Sequence, residues 1–109
     1  MGLVEPPSLP DDRRLRYTVF VDDNFHYMDP DERYRQGDYD DYELAVTVCK
    51  QIVERSLLHQ FVSGMKAEEL WSRYKSFGED PFVRPPPPAP MEPFSAWTYA
   101  RHRCQEICR

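Results

Sequence analysis

Side chains able to do chemistry are densest between residues 22 and 32, where the chain reads Asp22-Asp23-Asn24-Phe25-His26-Tyr27-Met28-Asp29-Pro30-Asp31-Glu32. Carboxylates set this close together are the oxygen donors that calcium prefers. An EF-hand, however, needs glycine at the sixth loop position and glutamate at the twelfth. Counted from Asp22, those positions hold Tyr27 and Arg33, so no metal ligand is assigned. His26 beside Asp22, Asp29 or Asp31 could serve as a general base, and a metal-dependent or acid–base enzyme using segment 22–32 is one reading. Aspartate and asparagine also build turns through bonds to their own backbone. The favoured reading is a surface that meets an unknown protein partner, with tyrosines as anchors. It comprises Asp22, Asp23, His26, Tyr27, Asp29, Asp31 and Tyr34.

Other reactive types lack the spacing their chemistry requires. The four glycines are too far apart for a phosphate-cradling loop. Ser63, Ser72, Ser76 and Ser95 have no nucleophile-elbow glycines around them. Cys104 and Cys108 lie one helical turn apart and so share a face, but no second pair completes a zinc site. The three cysteines are odd in number and form no C-x-x-C pair, which fits reduced thiols. No catalytic residue and no cofactor is assigned, and an enzyme is the less favoured class. Arg84-Pro85-Pro86-Pro87-Pro88-Ala89-Pro90 matches the R-x-x-P-x-x-P spacing of SH3-type ligands, yet a polyproline II run is also a stiff connector, the reading preferred here.

The elements that must position these groups fit one domain. In 109 residues, 40% are hydrophobic and 14% aromatic, enough apolar material for one core and too little chain for two. A net charge of −5 repels phosphate backbones, so nucleic acid is not an expected partner. Mimicry of nucleic-acid charge, as an inhibitor, is the last alternative. Neither a long apolar run nor a basic start followed by one occurs, which predicts no membrane association and a cytoplasmic location.

Residues 1–13 contain three prolines and no periodicity, and read as a flexible tail before a domain at 14–109. Tyr17, Val19 and Val21 alternate with Thr18, Phe20 and Asp22, as in a strand. The acidic segment then forms a loop, and a short strand follows at Glu32–Gln36, ended by Gly37, with Tyr34 facing inward. Tyr42, Ala45, Val46, Cys49, Ile52, Val53 and Leu57 recur at steps of three and four, predicting an amphipathic helix from Tyr42 to about His59. The helix begins at Asp40 or Asp41, and Glu43 three positions after Asp40 makes a capping-box-like start. After Ser63-Gly64, the residues Ala67, Leu70, Trp71, Tyr74 and Phe77 mark a second helix stopped by Gly78. Glu79-Asp80-Pro81 reads as a turn, Phe82-Val83 as a third strand, and 84–93 as the proline-rich connector. Ser95 caps a last helix running to about Cys108, with Trp97, Ala100, Cys104, Ile107 and Cys108 on its apolar face. The expected fold is α+β: an antiparallel sheet of two or three strands packed on one long amphipathic helix, with two shorter helices.

Four segments together, Val21-Asp22-Asp23-Asn24-Phe25-His26-Tyr27-Met28-Asp29, Tyr42-Glu43-Leu44-Ala45-Val46, Phe77-Gly78-Glu79-Asp80-Pro81-Phe82 and Phe94-Ser95-Ala96-Trp97, resemble a family of small uncharacterised bacterial proteins. The resemblance spans roughly residues 17–105 and implies no activity, cofactor or partner.

Overall fold

The computed structural model describes residues 16–26 and 30–109, without the side chains of His26 and Pro30. The tail expected at 1–13, the side chain of His26, and Tyr27 and Asp29 therefore lie outside the described residues. The element order is β1 (Tyr17–Asp23), two 3-10 turns (Asn24–His26 and Pro30–Glu32), β2 (Tyr34–Tyr39), α1 (Tyr42–Gln60), α2 (Ala67–Phe77), β3 (Glu79–Arg84) and α3 (Ala96–Ile107). The strands make one antiparallel sheet in the order β2-β1-β3. This is the α+β architecture that the periodicities predict.

β1 is rich in β-branched and aromatic residues, which suit the centre of a sheet, and it pairs on both sides. Its pleat turns Val19 and Val21 into the core, while Phe20 points the other way and stacks on Phe82 at 5.7 Å. Two features differ from the sequence reading. β2 runs through Gly37 instead of ending there: Val19 pairs with Gly37 and Phe20 with Arg35, so Gln36 is the extra residue of a bulge. Gly37 fits because a Cβ would lie 3.2 Å from the Tyr39 hydroxyl. Likewise Glu79-Asp80-Pro81 is not a turn but the first half of β3, with Pro81 opposite Val21 and Asp80 opposite Asp22. An edge strand admits proline because one side of its backbone has no ladder to donate to.

α1 starts at an aspartate, but at Asp41 alone: its carboxylate accepts from the Glu43 backbone N–H at 3.2 Å, so the Asp40–Glu43 capping box does not form. Tyr42, Ala45, Cys49, Ile52, Val53 and Leu57 are buried along one stripe. The first half of that stripe covers Val19 and Val21 of the sheet. Val53 and Leu57, further on, pack with Leu70 and Tyr74 of α2 and Ala96, Ala100 and Cys104 of α3. α1 is thus the spine shared by sheet and helices, and each large side chain it buries fully contributes about 1.5–3 kcal/mol.

The shorter helices are fastened to that spine by polar clasps. Gly64 turns the chain after α1 with φ of +88°, a conformation that glycine adopts without a Cβ clash. The residues between β3 and α3 contain no helix or strand. They deliver the Phe94 backbone N–H to the Tyr42 hydroxyl at 2.7 Å. Ser95 Oγ then accepts from the Thr98 N–H at 3.2 Å and caps α3. Glu54 of α1 accepts from the Tyr99 hydroxyl at 2.9 Å and from the Arg103 guanidinium at 3.1 Å, and these bonds hold its carboxyl below the usual range.

Candidate interaction surface

The acidic segment leaves β1 and lands on the C-terminal end of α2. Asn24 makes that landing: its backbone N–H donates to the Gly78 carbonyl and its side-chain amide to the Tyr74 carbonyl, each at 2.9 Å. The Tyr74 carbonyl already accepts from the Gly78 N–H at 2.8 Å, so the amide of Asn24, 50 positions upstream in the sequence, gives the same oxygen a second donor. Asn24 is only 5% exposed. Just before it, the Asp23 carboxylate accepts from the Phe25 N–H at 2.9 Å, an Asx turn. That turn sets the Phe25 ring outward, where it stacks on Phe77 at 5.7 Å and 23°.

Both rings remain open to solvent, Phe25 at 63% and Phe77 at 56% exposure. Phe77 belongs to the periodic set that marks α2, but only Leu70 and Tyr74 of that helix are fully inside. Next to it Arg55, Ser56, Leu58, His59 and Gln60 of α1 form, with Phe77 and Glu79, an open groove of about 620 Å³. Tyr34 stands opposite Val21 and so on the core-facing side of the sheet, as expected, yet it is 46% exposed because that end of β2 is incompletely covered. Its hydroxyl lies 3.5 Å from the Glu79 carboxylate. Partial burial, together with the Glu79 charge, pushes the phenol up, and Arg55 acts in the opposite sense.

Among the described residues, the carboxylates singled out in the sequence do not converge on a metal-binding cluster. Arg33 holds Asp22 through two bonds, Nε to Oδ1 at 2.6 Å and Nη2 to Oδ2 at 3.1 Å. The same guanidinium lies 4.9 Å from the centre of the Phe82 ring, and Arg84 lies 5.1 Å from it. Asp22 therefore belongs to a sheet-face cluster of Phe20, Phe82 and two arginines. Asp23 serves its turn, and Asp31 is exposed in the second 3-10 turn.

Opposite Asp22 stands Asp80, whose carboxyl is pushed up to about 6, by burial first and by the Asp22 charge second; hydrogen bonding from Trp97 opposes the rise. The thiols are inert by the same logic of burial: Cys49 is pushed up to about 12 and Cys104 to about 11, so neither is a thiolate near neutrality. Among the described residues no group of three or more His, Cys, Asp or Glu side chains is placed to hold a metal ion. No described helix is long and apolar enough to cross a membrane.

Several residues at this end of the molecule escaped the sequence reading. Leu58 carried a usable signal: nine residues after Cys49, it falls on the side of the helix opposite the centre of the buried stripe. Arg55, Glu79 and Asp80 carried none, since α1 and the start of β3 meet only in three dimensions. Compared with protein-family models, curated proteins and solved structures, the chain matches none. Fold and surface thus define an α+β protein with an exposed aromatic end.

Proposed function

We propose that this chain is a non-enzymatic protein-interaction module, and that its partner meets the end of the domain formed by Phe25, Tyr34, Leu58 and Phe77. The observation that carries this reading is the Phe25–Phe77 stack, two rings held against each other by an internal turn and a buried asparagine while more than half of each stays in water. Leaving such a pair exposed costs apolar hydration, and aromatic anchors of this kind are what interfaces bury. The surface adjoins the acidic segment, with Tyr34 common to both. Asp22 and Asp23 support the reading from beneath, because their bonds to Arg33 and to the Phe25 N–H fix where the segment sits.

The test is capture of partners from native extract with tagged wild-type protein, with Phe77→Asp, and with Leu44→Asp, a change at another exposed apolar position of α1. Phe77→Asp should lose partners that Leu44→Asp keeps, both variants retaining the wild-type circular dichroism spectrum. Identical capture by all three would refute the assignment.

An acid–base enzyme is the second reading, and Asp80 is its one support: a carboxyl held near 6 across from the Asp22–Arg33 pair could hold or release a proton near neutrality. Its bland counterpart, a partly buried carboxylate tolerated by the fold, is separated from it by the stability of Asp80→Asn described below.

A further inference from the structure

The groove beside Phe77 carries both signs of charge on an apolar floor. Arg55 and His59 come from one turn of α1, Glu79 from the start of β3, and Leu58 and Phe77 lie between them. A two-fold interface requires one patch to complement itself, so that residue i of one copy meets j of the other and j meets i. A surface holding one cation and one anion on the rims of an apolar strip meets that requirement, whereas a single-sign rim would repel its own copy. The apolar area is also of the right order. The exposed parts of Phe25, Tyr34, Leu58 and Phe77 come to roughly 400 Å², from typical aromatic side-chain areas. That is about half of the ~800 Å² each partner gives to a standard interface, near the usual apolar share.

Resting on the interaction reading above, we infer that the partner is a second copy of this chain. The two molecules join about a two-fold axis through the Phe25–Phe77 stacks, with Arg55 of each copy facing Glu79 of the other. The Tyr34 hydroxyl, next to Glu79 in its own chain, then closes the rim. Such a pairing also gives Arg55 a carboxylate to meet; it forms no ion pair within 4.0 Å among the described residues.

Sedimentation velocity from micromolar to roughly millimolar protein tests the inference, since a modest interface of this size falls in that affinity range. Wild type should show a reversible monomer–dimer equilibrium. Phe77→Asp should abolish it. Arg55→Glu and Glu79→Arg should each weaken it about tenfold, and the two together should recover most of that loss, as an exchanged ion pair does. Leu44→Asp should leave it unchanged. Thermal melts accompany every variant, and Arg55→Glu is the informative arm if Glu79→Arg unfolds, because Arg55 is exposed.

A monomer throughout, a dimer untouched by Phe77→Asp, or a double swap no better than either single change would overturn the two-fold interface. A monomer in which Phe77→Asp still loses captured partners overturns the self-association alone and leaves the interaction module standing. Where Phe77→Asp alters neither dimer nor capture, both fall.

Discussion

Replacing Gly78 with alanine should cost the fold about 3 kcal/mol, although nothing in the backbone angles of Gly78 demands glycine. Its φ of −80° and ψ of 174° are open to any residue, so the effect is purely steric. An added Cβ would sit 2.4 Å from Tyr74 Cδ1, 2.7 Å from Cε1 and 2.8 Å from the Tyr74 carbonyl oxygen, where carbon contacts are best at about 3.5–4.0 Å. The ring cannot retreat, because Tyr74 is fully buried and its hydroxyl donates to the Glu79 carbonyl at 2.7 Å. Overpacking of this kind costs about 1–3 kcal/mol, and strain on the Tyr74 and Asn24 hydrogen bonds adds about 1 kcal/mol. For a domain of this size, a total near 3 kcal/mol lowers Tm by roughly 12 °C. Urea and thermal unfolding followed by circular dichroism would measure it. Gly64→Ala is the control with the opposite cause: φ is +88° and no atom lies within 4 Å of the added Cβ, so it should cost about 1 kcal/mol from the left-handed backbone alone. If Gly78→Ala proves no worse than Gly64→Ala, the argument that Tyr74 and Gly78 are interlocked is wrong.

Asp80→Asn should stabilise the protein at pH 8 and leave it nearly unchanged at pH 4. The folded carboxyl is raised to about 6 from an ordinary value of 3.8, so the folded state binds its proton more tightly; the penalty for ionising it appears as pH rises through 6. About 1–2 kcal/mol is expected at pH 8, reduced from the full shift because the side chain is only partly buried; a destabilised variant at pH 8 would point to a role for the charge instead. The Glu54 clasp has the reverse sign. Its carboxyl is lowered by Arg103 and then Tyr99, so the stability it contributes is present above the unfolded value and is lost as pH falls through the folded one. Glu54→Gln should cost about 1 kcal/mol at pH 7 and little below pH 3, as pH-dependent melts would read. Asn24→Ala removes a buried hydrogen bond to the end of α2 and should cost about 1–2 kcal/mol. Asn24→Asp, which replaces the donor with a buried charge facing the Tyr74 carbonyl, should cost more; equal melts for the two would refute the placement of the amide.

The sequence by itself determined the helices and the class of fold. Apolar spacing along Tyr42–Leu57 and Ala67–Tyr74, the Ser95 cap and the Ser63-Gly64 break are local signals, because helix hydrogen bonds and caps close within a few residues. The alternation of Tyr17 to Val21 marks β1 for the same reason. What depends on partners distant in the chain was settled only by tertiary structure. Gly37 and Pro81, which punctuate loops in a local reading, are accommodated inside strands by a bulge and by an edge position. Tyr34 and Phe77, apolar enough to read as core, stay exposed because the ends of β2 and α2 that carry them are incompletely covered. Asp22 was visible as a carboxylate, but its engagement by Arg33 required β2 to fold back beside β1, and its confrontation with Asp80 required β3 to pair on the other side. In the proposed reading Phe25, Leu58 and Phe77 join Tyr34 on the partner-facing surface, because an ion pair holds Asp22 and a turn engages Asp23 beside those exposed side chains; the side chain of His26, and Tyr27 and Asp29, lie outside the described residues.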